Sequence, residues 1–171
     1  LEYEYDAAGD LVSVTDREEN ETTFTYLEDP AHHLLEIHDP LGRTPIRNEY
    51  YDDGRIKSHT DAFGNTITYT HSLEARQEIV QDRSGGLRVL EYDERGNVLR
   101  EVQPDGKVIV REFTAFNYRT SETLPFDPST TTPEEAPKTV YTYENQGTAS
   151  ETENVVAVLD PENNLTEYRY D

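Results

Sequence analysis

Five histidines, His32, His33, His38, His59 and His71, are the side chains best suited to metal binding, and His33 and His38 frame a short strand-like run. A structural zinc site needs four nitrogen or sulfur ligands in a tetrahedral array. The chain has no Cys and no His pair spaced for one helix face, so no ligand set is specified and strand-surface histidines are the plainer reading. Asp52-Asp53-Gly54 and Asp160-Pro161-Glu162-Asn163-Asn164 collect oxygen donors of the kind calcium uses. Neither matches an EF-hand or a glycine-rich calcium loop, and both read as solvated acidic turns. Ser, His and Asp are all present, but without a nucleophile elbow, a phosphate loop or a dinucleotide fingerprint. Carboxylate pairs could serve glycoside hydrolysis, yet among 36 acidic residues proximity is unavoidable. No residue is assigned a catalytic, metal-binding or cofactor-binding role, and the chain is expected not to be an enzyme.

The aspartates recur in a different pattern. Asp6-Ala7-Ala8-Gly9, Asp39-Pro40-Leu41-Gly42, Asp61-Ala62-Phe63-Gly64 and Asp93-Glu94-Arg95-Gly96 each set Asp three residues before Gly. Asp at the first position accepts backbone N–H bonds, and Gly takes the left-handed conformation that closes a type I turn with a bulge. Asp52 with Gly54, and Gly106 in Gln103-Pro104-Asp105-Gly106, are read as shorter forms, and Asp82-Arg83-Ser84-Gly85-Gly86 as a further full-length one. In Arg17-Glu18-Glu19-Asn20 and His71-Ser72-Leu73-Glu74-Ala75-Arg76 the Gly is missing, so a non-Gly residue must take the left-handed position.

Between the turns lie runs of five to eight residues rich in Thr, Val, Ile and Tyr, such as Leu11 to Thr15, Thr22 to Tyr26, Thr66 to Thr70, Val108 to Phe113 and Thr139 to Tyr143. Apolar residues at alternate positions place one aromatic face against one hydroxylated or charged face. Tyr5, Phe24, Tyr26, Tyr51, Tyr69, Tyr92, Phe113, Tyr141, Tyr143, Tyr168 and Tyr170 are the expected aromatic ladder. Unit starts are placed near Tyr5, Tyr26, Tyr51, Tyr69, Tyr92, Phe116 and Tyr143, with another opening at Tyr170-Asp171. This period signals a stacked repeat array. Residues 1–171 are read as one array of about seven hairpin units, cut from a longer one. Residues 125–138 carry four prolines and cannot pair in a ladder. They are read as an inserted surface loop projecting from a hairpin tip, with partner docking as one use for it.

Composition agrees with a thin structure. Only 33% of the residues are hydrophobic, with no Met, Trp or Cys, so 12 Tyr and 5 Phe must supply much of the buried area. The net charge of −21 disfavours nucleic acid and anionic membranes. An acid-rich surface whose lysines are Lys57, Lys107 and Lys138 also suits a salty habitat. No apolar run is long enough for a membrane span, and the absence of Cys is compatible with export without demonstrating it.

Tyr5-Asp6-Ala7-Ala8-Gly9-Asp10-Leu11, Tyr51-Asp52-Asp53-Gly54-Arg55-Ile56 and Tyr92-Asp93-Glu94-Arg95-Gly96-Asn97-Val98 resemble the YD repeat of the Rhs family, which includes teneurins and the C component of insecticidal Tc toxins. Asp39-Pro40-Leu41-Gly42-Arg43 resembles its second-turn form, and the likeness covers all but the proline loop. The resemblance implies an all-β, repetitive antiparallel hairpin strip, open-edged and curved, forming part of a larger shell around a C-terminal toxin domain in a secreted or surface protein of a bacterium. Its partners would be neighbouring YD repeats and that enclosed domain. Family members that release a toxin use Asp-Pro-x-Gly aspartates, but Asp39 and Asp160 sit at ordinary turn positions, and turn formation is the reading taken for both. The alternative class is a carbohydrate-binding or cell-surface adhesion module, with exposed Tyr rings stacking on a glycan. Two open sheet edges also predict edge-to-edge self-association.

Overall fold

The computed structural model of the chain describes residues 1–170. Fifteen strands follow one another, and each is hydrogen-bonded to its chain neighbours, so strand order equals chain order in an open antiparallel sheet. They are β1 (Glu2–Tyr5), β2 (Leu11–Thr15), β3 (Glu21–Tyr26), β4 (Leu34–His38), β5 (Ile46–Tyr50), β6 (Ile56–Thr60), β7 (Thr66–Ser72) and β8 (Gln77–Gln81), followed by β9 (Leu87–Tyr92), β10 (Val98–Val102), β11 (Val108–Phe113), β12 (Arg119–Thr123), β13 (Lys138–Tyr143), β14 (Val155–Leu159) and β15 (Leu165–Glu167). No helix among the described residues is long and apolar enough to cross a membrane. Contacts group the chain into two compact units, Leu1–Thr70 with Val80–Gly86, and His71–Ile79 with the residues from Leu87 onward.

One turn design makes most of the connections. At Asp61 the backbone N–H donates to the Asn65 carbonyl at 3.0 Å and the Gly64 N–H donates to the Asp61 carbonyl at 3.0 Å. Carboxylate oxygen Oδ1 accepts the N–H groups of Phe63 and Asn65, both at 2.9 Å. Gly64 stands at φ 83°, a conformation in which a Cβ would collide with its own backbone. The same two carboxylate bonds form at Asp6, Asp16, Asp39, Asp82, Asp93 and Asp160. At the β11–β12 turn the Thr114 hydroxyl replaces them, accepting from Phe116 and Tyr118. Where Gly is missing, Glu19, Arg76, Asn117 and Asn163 take positive φ.

The turn after β5 departs from its expected register. Tyr51, not Asp52, holds the first position, with the Gly54 N–H bonded to the Tyr51 carbonyl and the Tyr51 N–H to the Arg55 carbonyl. Asp52 is therefore a second-position residue without the role of Asp6. The carboxylate work passes to the third position, where Asp53 accepts the Arg55 N–H at 3.1 Å, as Asp105 accepts that of Lys107 in the Gly106 turn. Gly54 has a further constraint: a Cβ there would stand 3.0 Å from the His33 ring.

The buried apolar core is small. Val108, Phe126 and Ala136 are buried, with Val102 and Val110 packed against them. Two of the three come from the proline-rich segment, which does not project from a hairpin tip. Phe126 and Val108 exchange backbone hydrogen bonds at 2.8 and 3.0 Å, and the Leu124 N–H reaches the Pro137 carbonyl at 2.7 Å. The segment leaves β12, extends its ladder by one bridge and folds back. Phe126 explains this, since burying one aromatic ring outweighs the ordering of a few loop residues that proline has already stiffened.

Charge pairs knit the strands of the second unit. Arg111 on β11 bonds Glu101 on β10 at 2.9 Å and Glu122 on β12 at 2.6 Å. Arg88 joins the same Glu101 at 3.2 Å, and Arg119 joins Glu122 at 2.7 Å with its guanidinium 5.1 Å above the Tyr141 ring. Opposite charges across neighbouring strands contribute about 0.2–1 kcal/mol per pair.

Hydrogen bonds from Asn20, Asn65, Ser84, Asn97 and Asn164 hold the carboxyl groups of Asp16, Asp61, Asp82, Asp93 and Asp160 below the ordinary 3.8, and the Arg43 backbone does so for Asp39. A folded-state value below the unfolded one adds stability that is fully present above the unfolded value and is lost as pH falls through the folded one. Through these carboxyl groups, denaturation midpoints are expected to fall as pH drops from about 5 and to drop steeply below pH 3.8; urea titrations across that range check this. Phe126→Ala is expected to cost about 3 kcal/mol, while Phe63→Ala, at a ring 90% exposed, should stay within about 0.5 kcal/mol in the same measurement.

Candidate functional site

The histidines that invite a metal site are dispersed. His32 Nδ1 lies 2.8 Å from Asp10, His33 faces the Gly54 carbonyl at 3.1 Å, and His38 meets Glu36 at 3.0 Å. His59 meets Asn48 at 3.0 Å, and His71 meets Glu78 at 3.1 Å. Among the described residues no group of three or more His, Asp or Glu gathers around a common point. Asp39 and Asp160 spend their carboxylates on their own turns, and Arg43 Nε adds a bond of 2.6 Å to Asp39.

The recurrent chemistry of the chain lies at, or close to, the ends of alternate strands. The ladder slips by one residue between Glu4 and Tyr5, Thr25 and Tyr26, Glu49 and Tyr50, Glu112 and Phe113, and Thr142 and Tyr143. Each slip is a bulge, and a bulge leaves backbone groups without ladder partners. A tyrosine hydroxyl supplies one of those partners. Tyr26 donates to the Leu11 carbonyl at 2.9 Å, Tyr50 to Leu34 at 2.7 Å, Tyr143 to Arg119 at 3.0 Å and Tyr170 to Val155 at 2.8 Å.

The four ties share one geometry. Each acceptor is the first residue of the preceding even-numbered strand and stands opposite the residue just before the tyrosine. This follows from the pairings of Ser13 with Thr23, Glu36 with Arg47, Ser121 with Val140 and Ala157 with Glu167. The tyrosine backbone meanwhile pairs forward, Tyr26 with Leu34, Tyr50 with Ile56 and Tyr143 with Val155. One residue thus joins three strands, through its backbone to the next and its hydroxyl to the one before.

The slot recurs at positions 5, 26, 50, 71, 92, 113, 143 and 170, with an interval of 21 residues from 50 to 71, 71 to 92 and 92 to 113. This moves three of the sequence-based unit starts: Tyr51 gives way to Tyr50, Tyr69 to His71 and Phe116 to Phe113. His71 takes its place by continuing the register in which Ser58 faces Thr68. Tyr92 fills its slot but directs its hydroxyl to Glu78 at 3.4 Å, and burial raises its phenol above the ordinary value. Phe113 fills its slot without a hydroxyl. Tyr5 occupies the slot of β1, the first strand in the order, and is 63% exposed.

The remaining ladder residues do other work. The Tyr51 hydroxyl crosses to the Tyr69 carbonyl at 2.8 Å. Tyr141 lies under Arg119, Phe24 is half-buried in β3, and Tyr168 is exposed. Two residues outside the expected ladder matter. Tyr50 fills a slot and packs edge-on to His33 at 5.0 Å, and Tyr118 stacks on Tyr143 at 5.2 Å. The 21-residue interval was the signal that picks Tyr50 over its neighbour.

At Leu34 the carbonyl also accepts from Asn48 Nδ2 at 2.9 Å, whereas at Leu11 the slot hydroxyl of Tyr26 is the side-chain donor, so Tyr26→Phe is expected to cost about 1 kcal/mol. Phe113→Tyr brings a hydroxyl toward the Val98 carbonyl, which stands opposite Glu112 in the register of Arg100 with Val110, and is expected to add about 1 kcal/mol. Chemical denaturation of both variants checks the pair.

Comparison with known proteins bears on this unit directly. Residues 5–44 match the family model described as RHS Repeat. No curated protein matches the sequence. Among solved structures, the Photorhabdus luminescens Tc holotoxin pore matches with a TM-score of 0.62 and 17% identity, covering 96% of this chain and 9% of that one. A crystal structure of TcdB2-TccC3 without its hypervariable C-terminal region matches at 0.66 and 16%, covering 96% and 9%. The TcdB2-TccC3-Cdc42 crystal structure matches at 0.63 and 16%, covering 97% and 9%. At these identities the likeness is one of fold, and the chain spans about a tenth of the proteins it matches. An RHS repeat is thus matched in residues 5–44, and the chain as a whole shares the fold of a part of those Tc toxin chains.

Proposed function

We propose that this segment is a length of wall in a hollow β-shell, and that the shell encloses a C-terminal toxin domain in a larger secreted or surface protein of a bacterium. The observation that carries the reading is the slot geometry. Its hydroxyls, like the turn carboxylates, are spent on neighbouring backbone, which is what a load-carrying sheet requires and a catalytic site does not. The fold likeness to TcdB2-TccC3 chains, one of them solved without a hypervariable C-terminal region, supports a wall role with a separable C-terminal part. A non-catalytic role accords with Asp39 and Asp160 being committed to their turns. The glycan-binding alternative relies on free aromatic faces, and it is weakened where Tyr26, Tyr50, Tyr51 and Tyr143 are tied to carbonyls.

The test uses the full-length protein that contains this segment. Limited proteolysis is expected to leave its C-terminal region intact while the shell is folded, and to degrade that region once about 6 M urea opens the shell. A C-terminal region cleaved at the same rate in both conditions would overturn the enclosure. Binding of the intact protein to a glycan array, lost on Tyr-to-Ala change at exposed rings, would move the assignment to adhesion.

A further inference from the structure

The connection from β13 to β14 covers residues 144–154, where that from β11 to β12 covers only 114–118. The longer connection is tied to itself. Its Glu144 Oε2 accepts from Thr152 Oγ1 and Asn154 Nδ2, both at 3.1 Å, and the Asn145 carbonyl accepts from the Thr148 hydroxyl at 2.7 Å. Held in this way, it forms one wall of a cavity of about 400 Å³ whose other wall is the end of β11, the turn after it and β12. Both walls lie in the compact unit that includes the residues from Leu87 onward. We infer that this cavity binds a primary ammonium group on an apolar stem, with the Glu151 carboxylate holding the charge and the rings of Phe113 and Phe116 lining the stem.

The carboxylate of Glu151, a lining residue, is half committed. Its Oε2 accepts the Gly147 N–H at 2.7 Å, while Oε1 is shut away from water and has no hydrogen-bond partner among the described residues. A carboxylate oxygen held from water without a donor is costly, and a cationic donor removes that cost. With one oxygen already taken by the backbone, the two-oxygen face that a guanidinium fork prefers is not offered. A single ammonium suits the oxygen that remains.

The rest of the cavity suits the stem and its charge together. Phe113 fills its slot without a hydroxyl, so its ring brings no polar group to the lining. Phe116, whose ring is 47% exposed, ends a row of three rings. It lies 6.5 Å from Tyr118 at an interplanar angle of 25°, and Tyr118 lies 5.2 Å from Tyr143 at 30°. Aromatic faces attract ammonium ions within about 6 Å. An anion is repelled by Glu151, and a neutral apolar ligand would leave Oε1 without a donor. The net charge of −21 draws cations to the whole surface, so the rings and the single carboxylate, not attraction alone, are what distinguish this site.

The probe is n-butylammonium chloride, added at constant ionic strength to the intact protein that contains this segment, with amide hydrogen exchange followed in residues 113–120 and 144–152. Saturable protection is expected there at millimolar concentration, the range for a ligand this small. Butanol, which has the stem without the charge, is expected to give none at the same concentration. Glu151→Gln keeps a carbonyl oxygen for the Gly147 N–H and is expected to weaken binding at least about tenfold. Phe116→Leu, at a half-exposed ring, is expected to weaken it about threefold. Unchanged exchange in β9 and β10 shows that each variant is folded. Nα-acetyl-lysine methylamide, tested alongside, assigns the ammonium to a lysine side chain if it binds more tightly than n-butylammonium, and to a free amine if it does not. No protection up to about 50 mM, equal protection by butanol, or an unchanged affinity in Glu151→Gln each overturns the proposal.

Discussion

The bond from a tyrosine hydroxyl to the carbonyl that opens the preceding strand is the interaction on which this sheet depends. In six of the hairpins the even strand carries one extra residue just after the turn, and that bulge breaks the ladder at the same place in each. A backbone carbonyl without a partner away from water costs about as much as a lost hydrogen bond. Tyrosine is suited to this position because its ring is wide enough to cross one strand spacing while its hydroxyl still carries a donor. At 2.7 to 3.0 Å in the four tied repeats, the hydroxyl turns a defect of the ladder into a contact spanning three strands.

This constraint accounts for the composition. With only Val108, Phe126 and Ala136 buried among the described hydrophobic residues, apolar burial cannot be the main source of order. The buried polar side chains Ser13, Asn48, Ser58, Ser121 and Thr123 lie within the strands themselves. Ser13 donates to Glu4 at 3.3 Å and Ser121 to Glu112 at 2.6 Å. Local bonds of turn carboxylates, tyrosine hydroxyls and strand serines replace what a second packed layer would provide. Such contacts reach only neighbouring strands, which is the energetic pattern of a repeat protein.

The sequence shows the turns and the strand content because their chemistry is local. Asp and Gly separated by two residues specify the turn at Asp61 and Gly64 with no knowledge of what lies beyond it. The slots are harder to see, since the partner of Tyr50 is a carbonyl 16 residues back and the backbone offers one at every position. In Tyr50-Tyr51 the YD motif points to Tyr51, while the bulge selects Tyr50. His71 is invisible to any search for aromatic repeats, and Tyr118 gains meaning only when the chain returns from the proline segment to place Tyr143 beside it. The fold-back of that segment was also hidden. Four prolines say that it cannot pair as a ladder, but the pairing of Phe126 with Val108 depends on a contact across β11 that no local pattern announces.

The departures from the 21-residue interval show what the architecture tolerates. The distance from an even strand's first residue to its tyrosine is 15 at Leu11 and Val155, 16 at Leu34 and 24 at Arg119, yet the tie forms in all four cases. The extra residues at Arg119 lie in the proline segment, and those after Tyr143 in the connection to β14, so the added length falls outside the strands that set the register. Lengthening a surface connection costs little in closure entropy, while shifting a strand by one residue would turn every side chain to the other face. Insertion between strands is therefore the permitted direction of change. The proline segment adds a condition to this: an inserted length persists as ordered structure here because it returns one ring, Phe126, to the only buried apolar cluster among the described residues.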